Sequence, residues 1–182
     1  MIRRLLLCFN TRAKRLYNKD LQKNINIEVQ SKKFLAYYRL GSLTNNTIVK
    51  LFCRLILRQI RLDYGIEIGL STQIGHGFYL GHAYNITINP AAILGNNVSV
   101  HKGVLIGSSN RGNLKGSPII GSNVWIGCNA CVVGKIIIGD DVLIAPNSYV
   151  NRDITSHSVV FGNPCVIKHK INATEGYVKI VN

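Results

Sequence analysis

No apolar run in this sequence reaches the roughly 18 residues that a membrane-crossing helix needs, so no segment is expected to span a bilayer. Leu5, Leu6, Leu7, Cys8 and Phe9 follow two arginines, but they are too few for a signal-peptide core, and the stretch from Asn10 to Lys19 is polar and basic. The chain also lacks an even set of cysteines. Cys8, Cys53, Cys128, Cys131 and Cys165 make five, and free thiols in a reducing cytoplasm are the expected state. Acid is scarce too, with 8 Asp and Glu against 22 Lys and Arg and a formal charge of +14. No recognition motif or aromatic platform accompanies the positive charge, which argues against nucleic acid.

The charge is uneven. Residues 1–62 carry 14 basic and 2 acidic side chains, so +12 lies there and only +2 in the remainder. This first third reads as helical. Ile2, Leu5, Leu6, Phe9, Ala13 and Leu16 share one helical face, with Arg3, Arg4, Arg12 and Arg15 around it. Lys50, Arg54, Arg58 and Arg61 make a second basic stripe, with Leu51, Phe52, Leu55 and Ile56 lying away from it. The segment is expected to cap the rest of the fold with a solvated basic face. The sharper alternative is peripheral contact with anionic lipid head groups on the inner face of the membrane.

Between Ile66 and Val150, within a domain expected over residues 63–170, one apolar residue returns every six positions. Ile68, Ile74, Leu80 and Ile86 form one run; Leu94, Val100 and Ile106 a second; Ile120, Ile126, Val132, Ile138, Ile144 and Val150 a third. Small or branched residues such as Val98, Val104, Val124, Ala130 and Val142 stand two places before their anchors, and Gly often follows. Neither a surface helix nor a hairpin sheet has this period. It specifies a parallel β-helix of hexapeptides, mainly β, with three short strands to each triangular coil. Each buried anchor should contribute about 1.5–3 kcal/mol. The register breaks between Ile86 and Leu94, by two residues placed around Pro90, and between Ile106 and Ile120, by eight. The second break must leave the prism as a loop from Gly107 to Pro118, and long loops on rigid scaffolds usually carry function. Residues 171–182 form a tail that adds a strand through Tyr177–Val181 or frays.

His82 is the prime candidate for chemistry. With the insertions removed, Leu80, Val100, Ile126 and Ile144 stack, and the residues two places on form a column of His82, Lys102, Cys128 and Pro146. Such a column borders a corner along which an extended ligand can lie. Glu67, the only acid between Asp63 and Asp140, precedes His82 by less than one coil. A carboxylate on the imidazole's second nitrogen would fix its tautomer and stabilise the imidazolium. His101 lies one position earlier on the next coil and is expected to point elsewhere, and His157 and His169 offer no evident partner. Cys128 and Cys131 have CxxC spacing, yet the hexapeptide phase accounts for both. His76, His82 and His101 do not share one stacked position, so a zinc β-helix enzyme with three converging histidines is disfavoured and no metal is expected.

From Tyr64 to Lys170 the chain resembles the hexapeptide-repeat acyltransferases, nearest the serine acetyltransferase branch. The resemblance rests on Ile66-Glu67-Ile68, Gly77-Phe78-Tyr79-Leu80-Gly81-His82-Ala83, Gly116-Ser117-Pro118, Val124-Trp125-Ile126-Gly127, Ile138-Gly139-Asp140-Asp141 and Phe161-Gly162-Asn163-Pro164. It implies a left-handed β-helix, an exception to the usual right-handed crossover, a homotrimer, and acetyl-CoA between neighbouring prisms. It implies His82 as catalytic histidine and Glu67 as its carboxylate partner. Cys128 and Pro146 would flank the pantetheine, Asn151 and Arg152 would lie further along the cofactor, and Lys168 near its nucleotide end.

The departures from the family shape the expected acceptor. Gly81 stands where serine acetyltransferases have an aspartate, and Gly116-Ser117 where they have Arg-His. A zwitterion needs paired charges to replace its hydration, so the expectation is a sugar hydroxyl in capsule, O-antigen or exopolysaccharide synthesis. Tyr84, Asn85, Arg111 and Lys115 would line the acceptor. His82 would act as general base in direct transfer, a role usually contributing about 10²–10⁴-fold. The alternatives are serine as acceptor, or a β-helix scaffold with no catalytic activity.

Overall fold

The computed structural model describes residues 10–24 and 26–182; the basic face assigned to Ile2–Phe9 lies outside them. Three helices come first: α1 (Thr11–Lys23), α2 (Val29–Leu43) and α3 (Thr47–Tyr64). Asparagines start two of them. Asn10 accepts the Ala13 N–H at 2.9 Å, and Asn46 accepts those of Ile48 and Val49 at 2.9 and 3.1 Å. Gly65 ends α3 in the left-handed region at φ 68°, and the first strand starts at Ile66, close to the compositional boundary at residue 62.

The rest is a left-handed parallel β-helix with three sheets. Sheet A stacks β1 (Ile66–Ile68), β4 (Ile86–Ile88), β7 (Leu105–Gly107), β10 (Cys131–Val133) and β13 (Tyr149–Val150). Sheet B stacks β2 (Gln73–Ile74), β5 (Ile93–Leu94), β8 (Ile119–Ile120) and β11 (Ile137–Ile138). Sheet C stacks β3 (Tyr79–Gly81), β6 (Ser99–His101), β9 (Trp125–Ile126), β12 (Val142–Ile144), β14 (Ser158–Phe161) and the antiparallel β15 (Val166–His169). All thirteen anchors are buried.

The register corrects one part of the sequence reading. The steps β1 to β4, β2 to β5 and β3 to β6 each advance 20 residues, whereas β4 to β7 advances 18. Only the chain between β3 and β4 is common to the three long steps and missing from the short one. The two extra residues therefore sit in the corner His82–Asn85, not around Pro90. Ile88, rather than Ile86, stacks on Ile68 and Ile106. Both isoleucines are buried, which is why six-fold counting could settle on the wrong one. The eight-residue excursion is where expected, and it folds on itself through Ser109 and Gly116, whose N–H groups each reach the other's carbonyl at 2.9 and 3.0 Å.

Helices α1 and α2 seal the first coil, whose outer strand edge would otherwise expose unpaired carbonyls. Tyr38 donates to Thr72 O, Arg39 to Ile74 O and Gly75 O, Asn24 to Phe78 O, and Ser31 to Leu80 O. Arg39 also pairs with Asp20 in a fully buried, bidentate contact of 2.7 and 3.0 Å. The other Asp20 demand is met by the Phe78 N–H at 3.0 Å.

The tail takes neither expected form. Asp141 accepts the N–H groups of Ala173 and Thr174 and the Thr174 hydroxyl at 2.7–3.0 Å. The chain then runs back over sheet C. Tyr177 meets Trp125 edge-on at 5.1 Å, Lys179 donates to Gln22 O, and the Val181 N–H reaches Asn97 Oδ1.

Candidate active site

His82 stands at the corner between sheets C and A, on the two-residue insertion. In each coil the backbone N–H after this corner donates to the coil before it. Asn85 reaches Tyr64 O, Gly103 reaches Tyr84 O, Asn129 reaches Lys102 O and Asn147 reaches Cys128 O. Counted from sheet A the column is thus Tyr84, Lys102, Cys128 and Pro146; counted from sheet C, where Gly81 pairs with His101, His82 is the residue in line with Lys102. His82 and Asn85 have φ of 48° and 52°. Left-handed residues recur at the corners of this solenoid, His157 at φ 60° among them, and histidine is one of the types that adopts this region more readily. The His82 side chain is 72% exposed.

Its carboxylate neighbour is not Glu67. His82 Nδ1 lies 3.3 Å from Glu28 Oε1, at the start of α2. Glu67 instead sits 3.4 Å from Arg61, in a cleft of about 760 Å³ between sheet A and the cationic side of α3, lined by Lys50, Arg54 and Arg58. The α3 stripe therefore borders an open cleft, and Arg54, Arg58 and Arg61 stay exposed. Cys53, Leu57 and Ile60 form its core face, while Leu51 and Leu55 stay exposed. Within one chain Glu67 and His82 make no ion pair.

His101 does not point elsewhere. Its ring lies 6.4 Å from that of His82, 5.6 Å from Tyr79 and 4.9 Å from Trp125. A Cβ at Gly81 would come within 2.6 Å of this ring. Gly81 is thus glycine because His101 fills its space. Burial, then the nearby His82 and Lys23 charges, lowers the His101 pKa to about 4, so the ring is neutral at pH 7. Its Nε2 is buried without a partner, as is Glu28 Oε2.

The other expected residues divide. Cys128 and Pro146 stack below the His82 corner. Tyr84 packs edge-on against Tyr64 at 5.6 Å and, like Asn85, belongs to the corner itself. Asn151 and Arg152 follow β13 and so fall at the opposite edge of sheet A. Lys168 is on β15, its ammonium 5.5 Å from the Phe161 ring centre. Arg111 and Lys115 ride the loop between sheets A and B, a different corner from His82. His157, for which the sequence offered no partner, is 2.8 Å from Asp141. Among the described residues no three His, Cys, Asp or Glu side chains converge as a metal site.

Known proteins resemble this arrangement. Residues 117–152 match the family described as bacterial transferase hexapeptide (six repeats). Serine acetyltransferase 2 of Arabidopsis thaliana is 34% identical over 71% of this chain and 40% of its own length. Serine acetyltransferase of Helicobacter pylori is 30% identical over 71% of this chain and 75% of its own length. The chain belongs to the serine acetyltransferase family. The chain thus spans under half of the plant relative and three quarters of the bacterial one. Among solved structures, the serine acetyltransferase of Neisseria gonorrhoeae in complex with serine superposes with a TM-score of 0.76 at 25% identity, covering 91% of this chain and 72% of that one. The soybean serine acetyltransferase apoenzyme gives 0.78 at 21% identity, over 89% and 71%. These relatives overturn the sugar-hydroxyl expectation and its placement in polysaccharide synthesis. Charge near the corner is not confined to the repeat motif: the helical segment brings Glu28 beside His82, and His101 occupies the space at Gly81.

Proposed function

We propose that this protein transfers an acetyl group from acetyl-CoA to the side-chain hydroxyl of serine, with His82 as general base. One observation carries the reading: a two-residue insertion places an exposed His82 at the corner whose column continues through Cys128 and Pro146. His82 Nε2 takes the hydroxyl proton as the serine oxygen attacks the thioester carbonyl. The tetrahedral intermediate then breaks its C–S bond, and the imidazolium returns the proton to the departing thiolate. Holding both substrates in line supplies much of the remaining acceleration.

The reading includes a homotrimer. Outward-facing Ile93, Ile119 and Ile137 lie in register on sheet B and are 37%, 46% and 58% exposed. A neighbouring prism would cover this ladder. Assembly would also bring the loop of one copy to the His82 corner of the next, offering Arg111 and Lys115 to the serine carboxylate. Cys128 and Pro146 would flank the pantetheine, with Asn151, Arg152 and Lys168 serving the rest of acetyl-CoA.

Thiol release from acetyl-CoA in the presence of serine tests the activity. His82→Ala should lower kcat by about 10²–10⁴-fold and leave the mass by light scattering unchanged. Near-wild-type turnover in that variant would remove His82 as base.

A further inference from the structure

We infer that Glu28, from the helical segment, is the positioning residue that orients His82; this rests on the general-base reading above. Glu28 occupies the N-cap of α2, a place that favours Ser, Thr, Asp or Asn. Its side chain makes no capping hydrogen bond there. The carboxylate turns instead to the neighbouring corner, where Oε1 lies 3.3 Å from His82 Nδ1. Only an Nδ1–H can donate to it, so this contact selects the tautomer with a free lone pair on Nε2. The same negative charge favours the imidazolium formed during transfer.

Glu28 is itself held. The Lys32 N–H reaches its carbonyl at 3.3 Å, and Ser31 in the same first turn of α2 donates to Leu80 O beside the corner. Helix and strand are thereby fixed together next to the imidazole. Glu28 Oε2 is buried with no partner. A buried carboxylate oxygen without a donor is unfavourable, and an unmet polar group kept in a native fold is consistent with a functional role. Within the chain Glu67 makes no ion pair with His82 and lies instead 3.4 Å from Arg61.

Glu28→Gln, Glu28→Ala, Glu67→Gln and His82→Ala, each in the full chain, separate the possibilities. Both Glu28 variants should lower kcat by about 10²-fold while KM for serine and acetyl-CoA changes less than about 2-fold. That is short of the roughly 10⁴-fold lost with a buried triad aspartate, because Glu28 is 34% exposed and solvent screens it. Two-bond ¹H–¹⁵N correlation of labelled His82 with the ring neutral should show the Nδ1–H tautomer in the wild type and a shift towards Nε2–H in Glu28→Ala. Since the side chain does not cap α2, circular dichroism should be unchanged, and the isosteric Glu28→Gln carries the kinetic test if Glu28→Ala folds poorly. An unchanged tautomer with kcat within 2-fold would overturn the assignment, as would loss of the tautomer in Glu67→Gln alone. If His82→Ala is itself active, the base reading fails. If His82→Ala is inactive and the Glu28 variants are not, only the role of Glu28 fails.

Discussion

Gly81 has the space of a side chain taken from it by another residue. His101 stands where its Cβ would go, wedged between Tyr79 and Trp125. Gly81→Ala must therefore push a packed ring, at a cost of about 1–3 kcal/mol for such overpacking. Denaturant melts should show this loss, and Gly81→Ala combined with His101→Ala should lose less than the two single changes added together. The anchors around this position were readable from sequence because burial repeats with the backbone. Glu28 was not, since it meets His82 across 54 residues and from a different kind of element. The only hint was rarity: Asp20 and Glu28 are the two acids of the first 62 residues, and both proved to be paired, with Arg39 and His82.

The corner His82–Asn85 is the element on which the chemistry turns. Its coil accommodates two extra residues while the strands on both sides keep step, as the pairing of Ile68 with Ile88 and of Leu80 with Val100 demonstrates. Deleting Ala83 and Tyr84 should return this corner to the length of its successors. The β-helix signal in circular dichroism should survive, and turnover should fall as far as in His82→Ala, because His82 would then directly precede Asn85 and take the place that Tyr84 holds. The period of six located the sheets and the long loop but misplaced this shorter insertion. Ile86 and Ile88 are equally apolar, and only hydrogen-bond register tells which one is the anchor. The tail was illegible for another reason: its anchorage is a set of side-chain and backbone donors to one carboxylate, which leaves no periodic trace.

At the scale of the molecule, Asp141 ties the tail to the solenoid. Burial pushes its pKa up, but the Thr174 hydroxyl and N–H, His157 and the Ala173 N–H outweigh this and hold it at about 2. A folded value below the ordinary 3.8 stabilises the attachment above about pH 4 and loses that contribution as pH falls towards 2. Trp125 is the only tryptophan and Tyr177 lies against it, so its fluorescence should report tail release over that acid window. Asp141→Asn should release the tail at neutral pH. The opposite end is closed by different means, through carbonyls of residues 72–80 answered by Asn24, Ser31, Tyr38 and Arg39. A solenoid stripped of those donors would offer a bare strand rim to any similar chain. The helices thus act as a terminator against filament growth, keeping a fold that could polymerise end to end as a discrete particle.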